Sequence, residues 1–130
     1  MSEEKIQQSV TNLGRALTRL EEALNEPDTN SLVIDGTIQR FEFVIELFWK
    51  AFKRILSREG IQVSTPRESI KQAYQVGWIE DEEAWLEMLR DRNETSHVYD
   101  EATARRIYES IKRNFVALER VYGRLRVLTP

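Results

Sequence analysis

The sequence predicts an all-α chain, an up-and-down bundle of about five helices. Three observations carry that reading. Apolar residues recur at steps of three and four over most of the length. The breaks between these stripes fall on turn formers, at Pro27-Asp28-Thr29-Asn30, at Gly60 and at Gly77. No stretch alternates apolar with polar residues as a half-buried strand does.

The first stripe, Ile6, Val10, Leu13, Leu17, Leu20 and Leu24, is narrow and ends before Pro27. A second and stronger one runs through Ile38, Phe41, Ile45, Phe48, Phe52 and Ile55. Val44, Trp49 and Leu56 widen it, which places this helix at the centre of the bundle, and Gly60 is its natural stop. Thr65-Pro66-Arg67-Glu68 opens a short third helix: a capping Thr, a Pro at the first helical position and a Glu to close a capping box. Ile70, Ala73 and Tyr74 are its expected inward residues, and Gly77 ends it. Glu80 or Asp81 starts a fourth, with Trp85, Met88 and Leu89 on one face. Asp100 can cap a long last helix with Ile107, Ile111, Phe115, Leu118, Tyr122 and Leu125 inside. The heptad-like spacing of the first two helices suits near-antiparallel packing and leaves room for a helix-face dimer.

At 130 residues the chain fits one domain, residues 1–130. With 41% apolar and 32% charged residues it reads as a folded, soluble protein rather than a disordered tail. Charges interrupt every apolar run well short of the roughly 20 residues that span a bilayer. The polar start, Met1-Ser2-Glu3-Glu4-Lys5, lacks the apolar core of a secretory signal, so the expectation is no membrane and a cytoplasmic location. Cysteine is absent, which removes disulfides, thiolate nucleophiles and zinc–thiolate sites, and suits a reducing compartment. With one His as well, a transition-metal site would need carboxylates or a second chain; no metal and no cofactor are expected. None of the five Gly residues forms a phosphate-cradling loop. The net charge of −3 speaks against a general nucleic-acid coat. The last helix nonetheless concentrates Arg105, Arg106, Lys112, Arg113, Arg120, Arg124 and Arg126. That is either a local phosphate-attracting site or a solvated basic face.

The distinctive chemistry lies in Arg92-Asn93-Glu94-Thr95-Ser96-His97-Val98-Tyr99. Arg92 shares a face with Trp85, Met88 and Leu89, so a guanidinium stands at the end of an apolar stripe, where a charge needs a partner. The plain alternative is a structural ion pair. In a continuous helix His97 would lie roughly 140° around from Arg92. The helix must therefore end near Thr95 or Ser96 if the two are to converge. His97 would then sit in a tight connection between two helices, as a catalytic group or as a hydrogen-bonded packing residue. Glu46 precedes Lys50 by four, an i,i+4 pair, while Glu42, beside Phe41, is placed to reach the Arg92 guanidinium and hold its fork.

Arg92-Asn93-Glu94-Thr95-Ser96-His97 resembles the Arg-x4–6-His motif of HEPN domains, including the polar residue directly after the Arg. Extended through Tyr99 it resembles the Arg-x4-His-x-Tyr form of HEPN toxins paired with minimal nucleotidyltransferase (MNT) antitoxins. The run as far as Glu101 is similar to nucleotidyltransferase substrate-binding proteins, as are Phe41, Glu42, Glu46, Trp49 and Lys50. The similarity spans nearly the whole chain.

The resemblance implies a HEPN-like bundle and a metal-independent endoribonuclease, a toxin of a toxin–antitoxin pair. Arg92 and His97 would be catalytic, with Asn93 orienting His97 or contacting phosphate; helix-end capping is the plain alternative for Asn93. Glu42 and Ser96 would support the site, Ser96 more as a partner for helix-end backbone than as a reactant. Tyr99 would accept adenylyl groups from the MNT partner; otherwise it is an ordinary aromatic. RNA self-cleavage through its 2′-hydroxyl needs a base and an acid, and imidazole serves as either near neutral pH. With one His per chain, a two-fold homodimer would supply two His and two Arg to one cleft. The alternative is a non-catalytic subunit that presents substrate to a separate nucleotidyltransferase.

Overall fold

A computed structural model describes residues 2–95 and 100–130. Its elements are α1 (Glu3–Leu24), α2 (Ser31–Arg58), α3 (Pro66–Gln75), α4 (Glu82–Glu94) and α5 (Glu101–Leu128). Among the described residues there is no strand. Helix α2 is central as its double-width stripe predicts, touching each of the other four. Phe41, Val44, Phe48, Phe52, Ile55 and Leu56 on it are wholly buried.

Local chemistry sets the helix ends. Ser2, Asn30, Thr65, Asp81 and Asp100 each cap a helix, their side-chain oxygens accepting from the N–H of Lys5, Leu32, Glu68, Ala84 and Thr103. The Glu68 carboxylate reaches back past the cap and accepts from the Ser64 N–H at 2.9 Å. Helices α2 and α3 both stop on a glycine in the left-handed region, Gly60 at φ 85° and Gly77 at φ 90°. After each, the next N–H folds back to a carbonyl five residues earlier: Ile61 to Leu56 at 2.8 Å, Trp78 to Ala73 at 2.9 Å.

Aromatic packing fixes α4 against α2. The Trp85 ring meets Phe48 edge-on at 4.9 Å and lies 5.5 Å from Phe52. Close approach of α1 and α5 depends on Gly14, where a Cβ would collide with the Tyr122 phenol.

Two expectations fail in detail. Tyr74 does not face inward; it is 41% exposed. Ser69, Ile70 and Ala73 fill the inner face of α3, and Tyr74 lies about 100° further around the helix than Ala73. Trp49 is only half-buried, at the edge of the core rather than within it.

Candidate active site

Helix α4 carries two polar faces besides its apolar one, and they behave differently. Toward α5, Asp91 is 3% exposed and accepts from the Ser110 hydroxyl at 2.5 Å and from Arg106 at 3.3 Å. One turn earlier, Glu87 accepts from Asn114 at 2.8 Å and Arg113 at 3.1 Å and lies 3.2 Å from the Ser110 hydroxyl, whose single proton it shares with Asp91. The Asn114 hydrogen bond, ahead of those from Arg113 and Ser110, holds the Glu87 carboxyl below its ordinary pKa despite partial burial. This network locks α4 in rotation and height against α5.

Arg92, one residue beyond Asp91, is turned away from that network and reaches α2. Its Nη2 donates to Glu46 Oε2 at 2.7 Å, and the other Glu46 oxygen lies 3.4 Å from Lys50 Nζ. Arg92 Nη1 donates to the side-chain oxygen of Asn93 at 3.4 Å. Thus the carboxylate that meets Arg92 is Glu46, not Glu42. Glu42 lies one helical turn, about 6 Å of rise, nearer the start of α2, and lines the same groove. Glu46 makes its i,i+4 pair with Lys50 as well, so one carboxylate bridges two cations.

Partial burial works to raise the Glu46 pKa. The neighbouring Trp49 indole, Arg92 and Lys50 outweigh it, and the group falls below its ordinary value. The Trp49 Nε1 is itself buried without a hydrogen bond of good geometry, so it acts on Glu46 as a nearby dipole rather than as a formed bond. About a third of each partner's side chain is exposed in the Arg92–Glu46 pair. Such a pair contributes at most about 1 kcal/mol to stability; its main effect is to aim the guanidinium.

Helix α4 ends near Thr95, as expected from the sequence. Its last residue is Glu94, and the Thr95 hydroxyl donates to the Arg92 carbonyl at 2.7 Å. Ser96, His97 and Tyr99 lie outside the described residues. The geometry above is therefore that of the arginine half of the motif.

Arg92, Asn93 and Thr95 form one end of an open groove of about 1310 Å³ between α1, the first half of α2 and the end of α4. Arg15 and Arg19 from α1 and Arg40 from α2 also line it, as do Glu42 and Glu46. These arginines were not singled out in the sequence. Arg15 and Arg19 sit on the polar side of α1, and nothing local ties them to residues more than 70 positions away. The basic last helix behaves oppositely. Arg105 pairs with Asp28 at 2.9 Å, Arg106 with Asp91 and Glu94, Arg113 with Glu87, and Arg124 with Glu80. Much of its charge is engaged in ion pairs with other parts of the bundle, which argues against a phosphate-attracting site there.

A guanidinium with one nitrogen fixed on a carboxylate still presents N–H groups to an incoming anion, in a fork matched to phosphate oxygens. Comparison with known proteins bears on what that anion is. Residues 8–127 match the family model described as nucleotidyltransferase substrate binding protein like. A Haemophilus influenzae protein described as probable ribonuclease HepT is 36% identical over 84 residues, 61% of this chain and 58% of that protein. The aligned part thus spans little more than half the length of that relative. A crystal structure of a Thermus thermophilus protein superposes with a TM-score of 0.82 at 36% identity, over 88% of this chain and 98% of the other. A second structure, from Haemophilus influenzae, gives a TM-score of 0.69 at 25% identity over 96% and 99% of the two chains. It is described as revealing the fold of a substrate binding domain of a nucleotidyltransferase.

Proposed function

The chain belongs to the family of nucleotidyltransferase substrate-binding proteins, and from that premise we propose that it is a metal-independent endoribonuclease, the toxin of a HEPN/MNT pair. The observation that carries this reading is Arg92, aimed by Glu46 into an open groove at the end of α4, five residues ahead of the chain's single histidine. The likeness to a protein described as a probable ribonuclease supports it.

In the proposed reaction the RNA 2′-oxygen forms a bond to the adjacent phosphorus as the bond from phosphorus to the 5′-oxygen breaks. One His97 imidazole takes the 2′-hydroxyl proton, and the imidazolium of a second copy protonates the departing 5′-oxygen. The products are a 2′,3′-cyclic phosphate and a 5′-hydroxyl. Two Arg92 guanidinia bear the charge that builds on the non-bridging oxygens, and Asn93 helps orient the groups. A two-fold homodimer supplies both histidines, since one chain carries only one. The setting is cytoplasmic. An MNT-type nucleotidyltransferase neutralises the toxin by adenylylating Tyr99, which adds negative charge and bulk two residues from His97.

The second reading, a non-catalytic subunit that presents substrate to a nucleotidyltransferase, is favoured by the description of the Haemophilus influenzae fold relative. Single-stranded RNA incubated with the purified chain and a chelator separates the two. The ribonuclease reading expects cleavage that His97→Ala abolishes; intact RNA, or cleavage equal in His97→Ala, leaves the binding-subunit reading in its place.

A further inference from the structure

The groove continues well past Arg92, and its far wall is basic although the chain as a whole is acidic. Four arginines, Arg15, Arg19, Arg40 and Arg92, line it along with two glutamates. One of those, Glu46, is already shared between Arg92 and Lys50. Arg40 ties α2 to α1 through its bond to the Arg19 carbonyl at 2.6 Å. The side chains of Arg15 and Arg19 are exposed and meet no acid among the described residues, unlike Arg105, Arg106, Arg113 and Arg124 on α5. They are four residues apart on one helix face, about 6 Å along its axis, of the order of the distance between successive phosphates of a stretched strand. Phe43, on α2, is 60% exposed and lines the same groove. A large apolar ring so exposed beside cations is the usual equipment for stacking a nucleobase.

We propose that Arg15, Arg19 and Phe43 form a binding track for single-stranded RNA, holding nucleotides that flank the phosphate at Arg92. This inference rests on the ribonuclease reading for its substrate. Charge complementarity selects the occupant: a polyanion gains from each exposed guanidinium, whereas a second copy of this acidic chain would bring its own Arg15 and Arg19 against the same wall if the axis passed through it. The track contributes affinity and its salt dependence; Arg92 and His97 contribute the chemistry.

The test measures binding without cleavage. A labelled 2′-O-methyl RNA oligonucleotide, which lacks the attacking hydroxyl, is titrated with the full chain in fluorescence anisotropy at several salt concentrations. Arg15→Glu/Arg19→Glu is expected to weaken binding by about tenfold or more. It should also flatten the slope of log affinity against log salt by about 1.4, two phosphate contacts at about 0.7 each on a single strand. Phe43→Ala is expected to weaken binding at least about fivefold without changing that slope. Arg67→Glu/Lys71→Glu, on exposed positions of α3 outside the groove, makes the same change in net charge and is expected to have no comparable effect. Equal losses in both double variants would overturn the track in favour of overall charge. Conversion of the Arg15/Arg19 variant to monomer by sedimentation would assign the wall to a second copy instead. Cleavage by the native chain with no binding of the methylated strand would overturn the track alone. Binding through the track with no cleavage of ordinary RNA would overturn the ribonuclease reading alone.

Discussion

Asp91 and Arg92 are neighbours in sequence and opposites in setting. Asp91 is nearly sealed between α4 and α5, with Ser110 and Arg106 on its two oxygens. Arg92 stands at a groove, a third of its side chain open to solvent, with one carboxylate on one nitrogen. The first contact set is buried between two helices; in the second, Glu46 and Asn93 take one N–H from each terminal nitrogen among the described residues. A buried network offers little to a ligand, while a guanidinium held at the edge of an open groove is suited to receive one. The α4–α5 network also makes the Arg92 site precise, because it fixes the helix that carries the arginine.

Substitutions on the two faces should therefore separate activity from stability. The largest expected effect is on catalysis: Arg92→Ala lowers RNA cleavage by about 10² to 10³ while its melting temperature stays near that of the native chain. Comparable losses of cleavage and melting temperature would erase the distinction between the faces. Next, Asp91→Ala leaves Ser110 and Arg106 without their buried acceptor. It should cost about 1.5–3 kcal/mol in chemical denaturation, with a smaller loss of cleavage than Arg92→Ala. A smaller effect belongs to Glu46→Gln, which keeps the shape but removes the charge that aims the fork. Cleavage should fall severalfold at saturating RNA with little change in affinity, and a purely structural role would not give that split.

The pH dependence sharpens the same contrast. The Glu46 carboxyl is lowered in the folded state, so its contribution to stability is present above the unfolded value of 4.5 and is lost as pH falls through the lowered folded value. Melting temperature followed from pH 6 to pH 3 should show an acid-side decline that is shallower in Glu46→Gln. An unchanged profile would mean that the pair forms too weakly to orient Arg92.

How far these features could be read in advance depended on their range. The helices, the caps Thr65 and Asp100 and the central place of α2 were legible because periodicity, Thr65-Pro66 and the stop glycines act within a few residues; the caps Ser2 and Asn30 were not singled out. The end of α4 near Thr95 was legible from Asp100, a cap that opens the next helix. The partner of Arg92 was not legible. Glu42 and Glu46 differ by one turn on the same helix, and only the height at which α4 docks on Phe48 and Phe52 selects Glu46. Asp91 was not singled out in the sequence, since its burial depends on Ser110 and Arg106 from a helix that starts ten residues later. Tyr74 misled because hydrophobic identity suggested an inward role, while Ser69, Ile70 and Ala73 fill the inner face of α3 and leave Tyr74 about 100° around from it.

The central claim is that the groove ending at Arg92 cleaves RNA by in-line attack of the 2′-hydroxyl. Its most direct test is end-group analysis of a defined single-stranded RNA after incubation with the native chain and with Arg92→Ala, chelator present throughout. The account predicts 2′,3′-cyclic phosphate and 5′-hydroxyl ends from the native chain and almost none from the variant. Ends of another kind, or equal yields from both proteins, would contradict it.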